Sequence, residues 1–279
     1  MRQNLRARLV AVLLALAALA SLAGCAKTVG NYRVLKTFGE QSFRIGYRLD
    51  DQVAVYVDAA LRSLAADGTV HRLAVEWMGQ DELLIEADAE PLKDLGKIPK
   101  RTMIIGVNES CFPLSYKNTE GQYDGFDVAL ARAVCEKLGW TVRFTSVAPS
   151  DVYVQLTSGN VDCVWGGMTL ADVNLTESDR EKPRREQLAV SAAYLKSEIV
   201  LISRADSSVR STHGLRGKSV MMDSGEQYIA AMQTDAGLVR RCGAIERVNG
   251  GAQQCFEALR SGEAAAIVTD SIAMNYYNR

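Results

Sequence analysis

The feature that most limits what this chain of 279 residues can fold into is a phrase that occurs twice. Leu156-Thr157-Ser158-Gly159 leads into the apolar run 161–165 and then into Gly166-Gly167-Met168-Thr169. Leu259-Arg260-Ser261-Gly262 leads into the apolar run 264–268 and then into Thr269-Asp270. A helix that stops at a glycine and feeds a short, mainly apolar strand predicts a buried parallel strand. Two copies predict two similar α/β units. In open α/β sheets, ligands sit beyond the carboxyl ends of the strands, where glycines let a ligand approach bare N–H groups. One edge then presents donors at Gly167 and Thr169, and the other presents the Asp270 carboxylate. That pairing suits a small zwitterion held between two lobes.

The α/β rhythm continues around both copies. Residues 103–107 read as a buried strand, 108–123 as a polar loop carrying Phe112, Pro113 and Tyr116, and Asp127 as the cap of a helix over 128–138 that Gly139 stops. A strand at 140–145 and a helix from about Asp151 lead to the first copy. After a polar excursion over 169–185 come strands at 194–203 and 219–222, a helix over 227–233 opened by Ser224-Gly225, a strand at 245–248 and the helix 252–260. This alternation predicts parallel sheets. Ahead of it, 43–48 alternates like a half-buried strand. Asp51 caps a helix whose Val53, Val57, Ala60, Leu61 and Leu64 share a face, and Thr69 caps a second with Leu73, Ala74 and Trp77 inward. The stretch 80–100 is acidic, contains Pro91, Gly96 and Pro99, and reads as a connector with about one turn of structure.

Composition excludes more than it assigns. With 48% hydrophobic and 23% charged residues there is ample core, and a net charge of -1 without a basic run gives no reason to expect a nucleic-acid partner. Arg2, Arg6 and Arg8 precede an apolar run over 9–20, too short to span a bilayer and laid out like a secretory signal. Leu22-Ala23-Gly24-Cys25 closes it and resembles the lipobox of bacterial lipoproteins, which implies cleavage before Cys25 and acylation of its thiol. Export permits disulfides. Cys242 with Cys255, or Cys135 with Cys163, could pair, but spacing does not fix connectivity, and Cys111 makes the remaining number odd. There is no C-x-x-C and there are only two histidines, His71 and His213, so neither a zinc site nor a cofactor is expected.

Taken together, Cys111-Phe112-Pro113-Leu114, Gly125-Phe126-Asp127-Val128, the run 156–162, the glycine-threonine turn, Leu215 to Lys218 and the aspartate of the second copy resemble the extracytoplasmic solute-binding proteins for polar amino acids, family 3, the receptor subunits of ABC importers. The resemblance runs from Met103 to Tyr276. It implies an α/β fold of the periplasmic-binding-protein-like type II, with two lobes that each hold a mainly parallel sheet flanked by helices. It also implies a free, polar amino acid as ligand, an ABC transporter permease as partner, a monomer, and no catalysis.

The resemblance further implies that an arginine and the Gly167-Thr169 turn take the ligand carboxylate, and that Asp270 takes its ammonium. Arg184 falls at the family's arginine, with Arg180 and Arg185 as alternatives because 171–183 looks like an insertion. A guanidinium suits this role because its planar fork binds a carboxylate bidentately. Asp270 could instead be a helix cap. Phe112 and Tyr116 could wall the pocket or belong to the core. Asn108 stands where binders of basic amino acids tend to carry an acid, which speaks against lysine or arginine. Gly225-Glu226 replaces the family's Gly-Ser/Thr at a helix start.

The family's closing strand and helices are missing after Arg279 but resemble residues 31–80, so the order implied is circularly permuted. The expected divisions are a signal at 1–25, a tether at 26–30, a permuted segment at 31–80 completing lobe 1, a linker at 81–101, lobe 1 at 102–193 and lobe 2 at 194–279. Hinge crossovers are expected near 194–197 and 271–279. A truncated tandem protein is the alternative to permutation. A dehydratase-like lyase using Glu226 or Glu109, or a ligand-sensing subunit, is the alternative to a transport receptor.

Overall fold

The computed structural model describes residues 27–49, 51–169, 188–249 and 251–279. The expected signal, Cys25 and the candidate arginines 180, 184 and 185 lie outside the described residues. Among the described residues no helix is long and apolar enough to cross a membrane.

In chain order the first segment supplies β1 (Lys27–Val29), β2 (Tyr32–Phe43), β3 (Gly46–Tyr47), α1 (Val53–Ala66) and α2 (Thr69–Met78). The middle supplies β4 (Thr102–Val107), β5 (Ser110–Cys111), β6 (Ser115–Lys117), β7 (Tyr123–Asp124), α3 (Phe126–Leu138), β8 (Thr141–Ser146), α4 (Val152–Thr157) and β9 (Cys163–Val164). The last part supplies β10 (Ala189–Val190), β11 (Leu195–Arg204), β12 (Ser219–Asp223), α5 (Glu226–Gln233), α6 (Ala236–Arg241), β13 (Ala244–Val248), α7 (Gly251–Ser261), β14 (Ala266–Asp270) and α8 (Ser271–Tyr276).

Two sheets repeat one plan. The first runs β8-β4-β9-β3-β10 and the second β13-β12-β14-β11-β2, with β1 added at its edge. In each, a central strand pairs in parallel with two neighbours, and two antiparallel strands follow. The duplicated phrase of the sequence supplies the same piece of each sheet, α4 into β9 and α7 into β14. Apolar residues pack both faces of each sheet, with Trp165 and Phe256 fully buried.

The chain crosses between the sheets at two adjacent places. β2 in the second sheet turns at Phe43 into β3 of the first, and β10 in the first leads to β11 of the second. Phe43 is paired with Leu195, and the Tyr194 N–H donates to the Phe43 carbonyl at 3.0 Å, so the crossovers run side by side.

Several expectations about the first segment are corrected. Residues 27–29, expected as tether, form β1 against β2. Residues 32–43 extend the second sheet instead of completing lobe 1, while residues from 46 onward do pack with lobe 1. The strand expected over 43–48 is instead the end of β2, which begins at Tyr32, and the separate short β3; the residues between 32 and 43 are half-exposed and show no clear alternation. Thr69 does not cap α2. Gly68, at a φ of 79°, holds that position without a side-chain bond. The connector lies along lobe 1, where Asp88 pairs with Arg62 at 2.9 Å and Trp140 Nε1 donates to the Pro99 carbonyl at 2.8 Å, and its Leu83 bridges Leu195 at the start of β11 in the second sheet.

Candidate functional site

The strand ends and loops of the two sheets enclose a cavity of about 380 Å³, toward the small end of the roughly 300–1,000 Å³ typical of small-ligand pockets. Lobe 1 contributes Asn108, Cys111, Phe112 and Gly167, and lobe 2 contributes Asp223, Gly225, Glu226, Tyr228 and Asp270. The lobes approach closely at its rim: a methyl group on Gly251, at the start of α7, would lie 3.0 Å from the Ser110 carbonyl oxygen.

Asp270 is the last residue of β14 and is only 7% exposed. Its Oδ1 accepts the Ala273 N–H at 2.8 Å, capping α8, and its Oδ2 accepts the Tyr228 hydroxyl at 2.9 Å. The two roles considered for it therefore coexist, a helix cap and a carboxylate on the cavity wall. Burial pushes its pKa up, and among the described residues no cation pairs with it. A buried carboxylate is costly to ionise, and burial favours the protonated form of Asp270.

Lobe 1 differs from its expectation. Asp127 is not the N-cap of α3, a position held by Gly125. It lies fully buried in the first helical turn, where Oδ2 accepts the Gly167 N–H at 2.8 Å and Oδ1 accepts the Tyr194 hydroxyl at 2.8 Å. Burial raises its pKa to about 7 despite both donors. The Gly167 N–H, expected to face a ligand, is thus already used. A buried carboxyl must satisfy its oxygens, and this donor is within reach. Gly167 lines the cavity for another reason: its φ is 69°, and a Cβ there would meet Cys111 Sγ at 2.1 Å.

Thr169 is buried, bridged to Phe43 beside the crossover, and is not part of the cavity wall. Tyr116 is not part of it either. Its ring packs edge-on against Phe112, with centroids 4.9 Å apart, and Trp77 lies on its other side. Phe112 does line the cavity and also touches Tyr276 edge-on at 4.6 Å, tying the lobe 1 loop to α8. Glu109 is turned to Lys117, 2.9 Å away. Asn108, Gly225 and Glu226 lie on the cavity wall. Neither considered disulfide forms, since Cys135, Cys163, Cys242 and Cys255 are all thiols.

The residues that sequence reasoning missed are Tyr228 and Asp223. Tyr228 lies one helical turn into α5 with its hydroxyl on Asp270, and Asp223 ends β12 beside β14. The strand ending of Asp223 was a usable signal, the same one that singled out Asp270.

Fold and site together define a two-lobed α/β protein with a small-ligand cleft between its sheets. Residues 103–262 match the family described as bacterial extracellular solute-binding proteins, family 3, and the chain belongs to that family. Among its relatives, a probable amino-acid ABC transporter-binding protein of Haemophilus influenzae is 24% identical over 177 residues, 63% of each chain. The arginine-binding extracellular protein ArtP of Bacillus subtilis is 29% identical over 126 residues, 45% of each chain. The chain thus spans less than two thirds of the length of these curated relatives. A crystal structure of an ABC uptake transporter substrate-binding protein from Streptococcus pneumoniae with bound histidine is similar at a TM-score of 0.49 and 25% identity, covering 63% of this chain and 68% of that one.

Proposed function

We propose that this protein is an extracytoplasmic receptor that binds a free polar amino acid between its lobes and delivers it, chemically unchanged, to the permease of an ABC importer. The observation that carries the reading is the cavity wall itself: Asp270, buried and without a described cation, faces groups of the opposite lobe across a space of small-ligand size. The ligand ammonium completes Asp270, and its carboxylate goes to an arginine, Arg184 by the family pattern or Arg180 or Arg185 beside it. Family membership and the amino-acid-binding relatives support this reading. Contacts divided between lobes favour the closed form, whereas a ligand touching one lobe alone would shift nothing.

The signal-like start and Leu22-Ala23-Gly24-Cys25 support tethering to the outer face of the membrane through lipid on Cys25. The order of elements supports a circular permutation. β10 and β11 follow β9 in one half, but their counterparts β2 and β3 precede the family region in sequence. The Asn31 N–H donates to Asn278 Oδ1 at 2.7 Å, which places residue 31 beside α8, where a continuing chain would enter β2.

Thermal-shift screening of the purified protein against the common amino acids tests the proposal, since a ligand specific to the native state raises its melting temperature. A saturable rise with one or a few amino acids is expected. A cooperative melt that no amino acid moves would contradict it.

A further inference from the structure

A second cavity, of about 390 Å³, lies on lobe 1 and shares no lining residue with the cleft between the lobes. Its size falls within the roughly 300–1,000 Å³ of small-ligand pockets. Helix α1 contributes Asp58, Leu61 and Arg62, the connector contributes Leu84, Ile85 and Glu86, and Tyr47 of β3 and residues 191–194 complete the wall. Strand β3, α1 and residues 84–86 all precede residues 103–262, so most of this wall stands outside the family match.

Tyr47 is the group this cavity leaves incomplete. It is only 1% exposed, and its hydroxyl makes no hydrogen bond with any described residue. A buried tyrosine hydroxyl ordinarily finds a partner, as that of Tyr194 does on Asp127 at 2.8 Å, and leaving one without a partner costs stability. Burial holds the Tyr47 phenol well above its usual pKa, with the Cys163 thiol and then the Asp58 carboxylate acting in the same direction, so it stays a neutral O–H. Asp58 is exposed on the same wall, and exposed Glu86 adds a second negative charge to it. Arg62 is turned to Asp88, 2.9 Å away, which leaves the polar end to Tyr47 and Asp58. The other end is apolar: Leu84 remains 44% exposed there, with Ile85 and Leu61 beside it.

We infer that this cavity is a second binding site, for a small primary amine carried on a short apolar body. The ammonium donates to the Tyr47 hydroxyl oxygen and to the Asp58 carboxylate, and the body covers Leu84 and Ile85 against Leu61. An alcohol of the same shape satisfies Tyr47 but leaves the Asp58 charge unused. The remaining wall, residues 191–194, leads into β11, and the Tyr194 carbonyl accepts the Leu84 N–H at 2.9 Å. An occupant therefore touches the crossover between the lobes from outside the cleft.

Calorimetric titration of the purified protein with phenethylamine and with phenethyl alcohol tests this, because the two differ only in the group that carries the charge. The amine is expected to saturate with a Kd of about 1 mM or tighter, and to bind at least about threefold more tightly than the alcohol, a modest ratio because Asp58 is exposed. Asp58→Asn should bring the two compounds to within about twofold. Tyr47→Phe should weaken both by about threefold or more, the scale of one hydrogen bond. An amine that does not saturate below about 20 mM, or that binds no better than the alcohol, would overturn the inference. So would saturable binding that neither variant weakens, because the amine would then lie elsewhere. Asp58 is exposed, so its variant decides the matter even if Tyr47→Phe does not fold. Neither compound carries a carboxylate, and the outcome stands apart from the amino-acid reading of the cleft.

Discussion

Tyr228 and Asp270, 42 positions apart, meet through a 2.9 Å hydrogen bond from the tyrosine hydroxyl to a carboxylate oxygen at the cavity wall. The bond fixes one oxygen of Asp270 while the Ala273 N–H fixes the other, so the protein's own groups set the orientation of the carboxylate. Replacing charge without shape separates its two roles. Asp270→Asn keeps a good N-cap and should stay within about 1 kcal/mol of the parent in denaturant titrations. It should lose tenfold or more in ligand affinity, the scale of a charge-assisted bond. Asp270→Ala should lose binding and also about 2 kcal/mol of stability, from the cap and the tyrosine bond together.

Gly167 cannot be replaced without cost. A Cβ there meets both Cys111 Sγ and Cβ, and its φ of 69° disfavours any side chain. Gly167→Ala should destabilise by about 2–4 kcal/mol, combining backbone strain with overpacking. In a double-mutant cycle with Cys111→Gly, the pair should cost less than the sum of the single changes, because the steric part is relieved and the backbone part is not. Simple additivity would show that Cys111 is not the obstacle.

Asp127 makes stability depend on pH. Its folded-state pKa of about 7 is above that of an aspartate in the unfolded chain, because burial outweighs its two hydrogen bonds. The folded form therefore binds the proton more tightly. The stabilisation this gives is complete at acid pH, below the unfolded pKa, and is lost as pH rises through about 7. Thermal melts from pH 5 to pH 8 should show the parent losing stability more steeply than Asp127→Asn, with a slope that approaches about 1.4 kcal/mol per pH unit between the unfolded and folded pKa values. Parallel profiles for the two proteins would rule this out.

A rearranged chain tests the permuted order. Placing residues 31–80 after Arg279 through a short Gly-Ser linker, with the chain opened within 81–101, joins segments that Asn31 and Asn278 already bring into contact. Such a variant should melt cooperatively and bind the same ligand as the parent, since chain ends moved to exposed connectors are tolerated. A variant that is soluble but does not melt cooperatively would contradict the permuted reading.

The sequence was most informative where one segment determines its own environment. The run 264–268 is apolar throughout, so it had to be a buried strand, and Asp270 had to emerge at its end. The helices α1 and α2 were readable from their apolar faces in the same way. The long strand β2 was not, because its half-exposed residues follow from lying near a sheet edge, which only the partner β11 defines. The link from Asp127 to Gly167 spans 40 positions and the link to Tyr194 spans 67, so no local pattern announces them. The removal of Thr169 and Tyr116 from the cavity likewise depends on Phe43 and Trp77, which come from the segment ahead of the family region.

The central claim, that a free amino acid occupies the cleft between the lobes, has a direct reporter in Cys111. Its thiol is half-buried on the cavity wall, whereas Cys135, Cys163 and Cys255 are buried. The measurement is the rate of Cys111 alkylation, read by peptide mass spectrometry, with and without the amino acid that raises the melting temperature most. Saturating ligand should slow modification of Cys111 by at least about tenfold, the effect of occupancy well above Kd, while leaving the half-buried Cys242 unchanged. A Cys111 rate that saturating ligand leaves unaltered would contradict the account, because the ligand would then be bound elsewhere.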